Sequence, residues 1–117
     1  MEQHIEIKLR LSSKPESGAP SMIQLLVAHL CGISIHDLLG KRGGARVVLA
    51  RQIAMYLMHV VCGLNMAQVG ACFRLDRSTA SYACHRIEDL RDDPCFDRQL
   101  TQLENLLRTA GDIGVAL

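Results

Sequence analysis

Four consecutive residues, Asp76-Arg77-Ser78-Thr79, set a carboxylate, a guanidinium and two small hydroxyls side by side. Such a set suits the edges of bases in a major groove about 12 Å wide. An arginine can span a guanine or a phosphate, an aspartate can accept from cytosine, and short side chains allow close approach. Seven basic side chains (Lys41, Arg42, Arg46, Arg51, Arg74, Arg77, Arg86) fall within residues 38–87 against one acid, Asp76, whereas the flanking segments are net acidic. Charge gathered in one block is expected where a protein meets a polyanion, although a solvated basic face would look the same by charge alone.

Other chemistries find little support. There are no paired carboxylates set for a pocket and no nucleophile with an adjacent base, so no enzyme is expected. The five cysteines (Cys31, Cys62, Cys72, Cys84, Cys95) form no C-x-x-C pair. Adjacent Cys84 and His85 would point to different helix faces, so the cysteines read as small core residues and no metal site is expected. Gly40-Lys41-Arg42-Gly43-Gly44 lacks the spacing and hydroxyl of a phosphate-binding loop, so neither nucleotide nor other cofactor is expected.

Positioning these residues falls to helices. The chain has only four aromatic residues and no Trp, so its core must come from Leu, Ile, Val, Met and Ala. Residues 1–20 read as an arm, with Ile5, Ile7, Leu9 and Leu11 alternating, followed by a linker. Ser21 is the expected cap of a first helix ending near Cys31-Gly32, and Ser34 with Asp37 marks a short helix, Ile35 to Leu39. After the glycine-rich basic loop, Val47, Ala50, Ala54, Leu57, Met58 and Val61 form one apolar stripe of a helix closed by Gly63. Asn65 and Gln68 form a capping box for a two-turn helix, Met66 to Cys72. Phe73-Arg74-Leu75 turns the chain, and Asp76 caps a helix from Arg77 to about Leu90. Gly70 stands where the first of these two helices must approach its neighbour closely. Pro94 opens a last helix with Leu100, Leu103, Leu106 and Leu107 as its stripe, ending near Gly111. The expected organisation is an arm and linker at 1–20, a helical domain at 21–110 and a frayed tail at 111–117. A two-turn helix, a tight turn and a capped second helix describe a helix-turn-helix.

Several stretches carry a more specific likeness: Asp37-Leu38-Leu39-Gly40-Lys41-Arg42, Ala50 to Leu57, Val69 to Phe73, and Asp76 to Ile87. Over roughly residues 22–108 the chain resembles the C-terminal DNA-binding domain of the bacterial replication initiator family DnaA. The resemblance implies an all-α helical bundle that binds double-stranded DNA. It implies base reading by Asp76, Arg77, Ser78 and Thr79 in the major groove and by Arg51 in the minor groove. Lys41 and Arg42 would contact the backbone, and Arg46, Gln52, Arg74, Tyr82 and Arg86 join them in the backbone set. The departures are a turn one residue shorter that loses two glycines, Arg77 in place of His, Ser78 in place of Thr, and Tyr82 in place of a later His. Arg77 should shift preference toward guanine.

The expectation is therefore a sequence-specific regulator of transcription or replication without ATPase activity. The alternative is a helical protein-interaction module, favoured by the short turn and the acidic last third. A homodimer or protein partner stays open. No apolar run approaches the ~20 residues of a membrane span and no secretory leader is evident, so cytoplasm is expected.

Overall fold

The computed structural model describes residues 15–112, with side-chain surroundings for 20–110. Six helices follow in order: α1 (Pro15–Cys31), α2 (Ile35–Leu39), α3 (Ala45–Val60), α4 (Met66–Cys72), α5 (Arg77–Leu90) and α6 (Pro94–Asp112). Among the described residues there is no strand, and no helix is long and apolar enough to cross a membrane. The expected arm at Ile5–Leu11 and most of the expected tail lie outside the described residues.

The first helix departs from the sequence reading. It starts at Pro15, so Ser21 lies inside it and is exposed instead of capping it. Proline at a first helical position forfeits no hydrogen bond, which makes Pro15 a competent start. Pro20 forgoes one bond within the helix, and its own burial offsets part of that cost. The C-terminus is closed by a Schellman pair, Ile33 N–H to Ala28 C=O at 3.0 Å and Gly32 N–H to His29 C=O at 3.2 Å, with Gly32 at φ +69°.

Helix α3 is the centre of the bundle and packs against α1, α2, α4 and α5. A single apolar stripe was expected there. Instead Ala50, Ala54, Met55, Tyr56, Leu57 and Met58 are all buried, while Val47 and Val61 are only half-buried. A helix with neighbours on several sides must be apolar on several sides. Ile23, Val27, Leu38, Val69, Phe73, Ala80, Ala83 and Ile87 complete the core around it. Cys84 is buried, Cys31, Cys62 and Cys72 are half-buried, and Cys95 is exposed, so the reading of every cysteine as core fails at Cys95.

Helix α6 docks through Leu100 and Leu107 and through Arg91, which donates to Glu104 (2.7 Å), Thr101 (2.7 Å), Tyr56 (3.0 Å) and Asp97. Leu106, expected in the buried stripe, is 56% exposed. It lines an open apolar groove of about 370 Å³ with Leu30, Ile53, Phe96 and Leu103. One turn of a helix rotates past its partner, so four leucines spanning eight residues do not all reach one seam.

Candidate nucleic-acid interface

Helices α4 and α5 form the hairpin that the spacing predicts, with the predicted ends. Asn65 accepts from the Gln68 N–H at 2.8 Å while Gln68 Oε1 accepts from the Asn65 N–H at 2.9 Å, completing the capping box. The turn folds back on α4 through Phe73 N–H and Leu75 N–H, both donating to Gly70 C=O at 2.9 Å. A Cβ on residue 70 would stand 2.6 Å from Leu75 O and 2.8 Å from Asp76 O, so only glycine lets α4 and the turn meet. Arg74 takes φ +57°, a left-handed conformation in which glycine is the usual occupant.

Asp76 is the cap of α5. Its Oδ1 accepts from the Thr79 N–H at 2.8 Å and from the Ser78 hydroxyl at 2.9 Å. The bond from the Thr79 backbone, reinforced by the Thr79 and Ser78 side chains, holds the Asp76 carboxyl below the usual aspartate range. It is therefore ionised at neutral pH, with Oδ2 left to accept from outside. Ser78 has committed its proton to Asp76 and offers only lone pairs outward. Arg77, Ser78 and Thr79 are exposed, and Tyr82, one turn on from Ser78, is 63% exposed. His85 and Arg86 continue the exposed face, while Ala80, Ala83, Cys84 and Ile87 hold the helix to the core.

An open groove of about 590 Å³ runs between the starts of α4 and α5, lined by Asn65, Met66, Ala67, Arg77, Ser78 and Ser81. Ser81 was absent from the residues singled out by sequence. Its place one turn beyond Arg77 and Ser78 on the same helix is the signal that would have found it.

The basic block divides once its side chains are placed. Lys41, Arg42, Arg74, Arg77 and Arg86 are exposed. Among the described residues the only ion pairs belong to Arg91, so none of these five is neutralised there. Arg46 is turned to the end of α1, donating from Nε and Nη2 to Cys31 C=O (3.1 and 3.0 Å) and from Nη2 to Gly32 C=O (3.0 Å). Arg51 is 7% exposed and donates to the carbonyls of Leu38 (2.8 Å), Asp37 (3.0 Å) and Arg42 (3.1 Å). Burial lowers its pKa, yet a guanidinium stays charged. Gln52 is 8% exposed, and its Oε1 is buried without a partner among the described residues. Arg51, expected in the minor groove, and Gln52, expected at the DNA backbone, are thus buried, whereas Arg46, expected at the backbone, is exposed with its Nε and Nη2 bonded to carbonyls. For the two arginines the physical reason is that the C-terminal ends of α1 and α2 leave carbonyls that need donors.

Comparison with known proteins agrees with this geometry. Residues 20–87, more than half the chain, match the bacterial dnaA protein helix-turn-helix. The chain is 38% identical over 80 residues to chromosomal replication initiator protein DnaA 2 of Chlamydia pneumoniae, covering 68% of this chain and 18% of that protein. It is 38% identical over 74 residues to the chromosomal replication initiator protein DnaA of a Picosynechococcus strain, covering 62% and 16%. Against the corresponding protein of a Synechococcus strain it is 33% identical over 102 residues, covering 86% and 22%. The chain thus spans about a fifth of the length of these relatives.

Proposed function

The chain belongs to the bacterial DnaA helix-turn-helix family, and on that premise we propose that it reads specific duplex DNA sequences and so regulates transcription or replication initiation in the cytoplasm. The family's helix-turn-helix is a DNA-binding domain, and membership supports DNA binding. The finer reading rests on one observation: the capped start of α5 presents Asp76, Arg77, Ser78 and Thr79 to solvent beside the groove shared with α4. Arg77 reaches the O6 and N7 acceptors of guanine. Asp76 Oδ2 and the Ser78 lone pairs accept from the amino groups of cytosine or adenine. Tyr82, Arg86 and Arg74 contact the flanking backbone, and Lys41 and Arg42 contact it from the loop before α3. No nucleotide hydrolysis is supplied by these residues, since they contain no phosphate-binding loop.

Selection of bound sequences from a random duplex library at near-physiological salt tests this reading. Enrichment of one motif containing a guanine, with that preference lost in Arg77→Ala, is the expected result. No enrichment, with retention abolished by modest salt, would leave only nonspecific charge contact and overturn sequence reading.

A further inference from the structure

Arg51 spans two pieces of chain. Leu38 and Asp37, which accept from its Nε and Nη2, lie at the end of α2, whereas Arg42, which also accepts from Nη2, lies in the following loop beside Lys41. Three of the five loop residues 40–44 are glycine, and Gly43 takes φ +136°. Among the described residues the loop's other hydrogen bonds lie at its two ends, Gly40 N–H to Asp37 C=O and Val48 N–H to Gly44 C=O. Among the described residues the only hydrogen bond to the middle of the loop is the one Arg51 donates to the Arg42 carbonyl.

The geometry of the guanidinium matters as much as its place. Nη2 serves two carbonyls and Nε a third, so both two-nitrogen edges of the fork are engaged. A bidentate base contact would require that cage to open first. Lys41 and Arg42 are exposed, and neither side chain bonds to a described residue.

Resting on the DNA-binding reading above, we propose that Arg51 is a positioning residue: it fixes the 40–44 backbone so that Lys41 and Arg42 meet DNA phosphates, and it does not read a base itself. Its influence on DNA then has the signature of the loop's charges. Lysine is no substitute, because an ammonium point charge cannot hold three carbonyls in the plane of a fork.

The test uses the 117-residue chain and the duplex selected with it, with affinity measured across a salt series and at each base pair of the site. Replacing both loop cations (Lys41→Ala with Arg42→Ala) removes up to two phosphate contacts, lowering the salt slope by about 1.8 and the affinity by about tenfold. Arg51→Ala and Arg51→Lys should each lower the slope similarly while leaving base preferences at every position unchanged. Adding Arg51→Ala to the loop double variant should cost less than about twofold more, because the same contacts are already gone. Should Arg51→Ala fail to fold, Arg51→Lys carries the same comparison. An Arg51 variant that keeps the wild-type slope but loses discrimination at one base pair would overturn the proposal in favour of direct reading. An unaffected loop double variant would overturn it while leaving DNA binding by the hairpin intact. Failure of the wild-type chain to bind any duplex would remove both readings together.

Discussion

The α4–α5 hairpin and the corner formed by the end of α1, α2 and the start of α3 are both rich in arginine, yet they use it in opposite ways. In the hairpin Arg74, Arg77 and Arg86 all face solvent. In the corner Arg46 and Arg51 are bound to main-chain carbonyls, Arg46 at the surface and Arg51 buried, and only Lys41 and Arg42 carry no such bond to a described residue. The difference follows from which helix ends each region must close. A helix start needs acceptors, and Asn65 and Asp76 supply them with short side chains. A helix end needs donors, and arginine supplies several on a stem long enough to reach. Arg46 closes α1, Arg51 closes α2, and Arg108 donates to Val60 C=O at the end of α3 (3.0 Å). A hairpin that faces outward with two helix starts leaves its cations without carbonyls to close. A corner built on helix ends consumes them.

The largest expected effect falls on the hairpin's geometry. Gly70→Ala gains at most about 1 kcal/mol of helix propensity. The added methyl would press on two carbonyl oxygens inside 3 Å, atoms that cannot rotate away. Overpacking of that kind costs about 1–3 kcal/mol, and here the backbone must move, so a net loss of about 2 kcal/mol is expected from urea unfolding, with DNA affinity falling alongside. An unchanged unfolding midpoint would mean that the turn does not rest on Gly70.

A crossed pair of substitutions probes the two uses of arginine directly. Arg51→Ala strips donors from three carbonyls, of which the Leu38 bond is buried. At about 1–3 kcal/mol for a buried group left unsatisfied, and less for the two that water can reach, a destabilisation of about 2 kcal/mol is expected. Arg77→Ala should change stability by less than about 0.5 kcal/mol and weaken binding to the selected site by about 1–3 kcal/mol. Melting curves and binding isotherms on both variants settle the matter. If Arg77→Ala destabilises the fold while Arg51→Ala spares it, the division between inward and outward arginines is wrong.

The same division marks what could be read from sequence. The caps at Ser34, Asn65 and Asp76, the closeness at Gly70 and the start at Pro94 were legible because each rests on residues within a few positions of one another. The bonding of Arg46 and Arg51 to main-chain carbonyls was not. Their partners are carbonyls 9 to 15 residues away, and a carbonyl belongs to every residue type, so no pattern announces them. The resemblance to the DnaA family placed the hairpin correctly, but likeness of residue type could not say which way the Arg51 guanidinium would point. Charge counting was blind to the same bonds: of the seven basic groups in the block six are exposed, Arg51 is buried, and Arg46, though exposed, is bonded to carbonyls at the end of α1.

A smaller effect is expected at the cap of α5. Asp76→Ala should lower stability modestly, because the Thr79 N–H loses its acceptor at the start of α5. Because the folded carboxyl titrates below its unfolded value, its contribution is present above the unfolded pKa near 4 and is lost as pH falls through the lower, folded one. Acid unfolding of wild type and Asp76→Asn should therefore converge toward low pH. Parallel curves down to the most acid point would mean that the carboxylate charge adds nothing to the cap.

The smallest effect separates strain from function within the hairpin turn. A non-glycine residue at φ +57° costs about 1–2 kcal/mol relative to its preferred regions. Glycine would relieve that, but it also widens the unfolded ensemble by about 0.4–1 kcal/mol. Arg74→Gly should thus raise stability by only about 0.5 kcal/mol. If the side chain contacts a phosphate, the same change lowers the salt slope of DNA binding by about 0.9. A variant slightly more stable but less salt-dependent would show that the turn keeps a strained residue for its charge. A gain in stability with the slope unchanged would make Arg74 an unused cation, and the contrast with the corner would then rest on Arg77 and Arg86 alone.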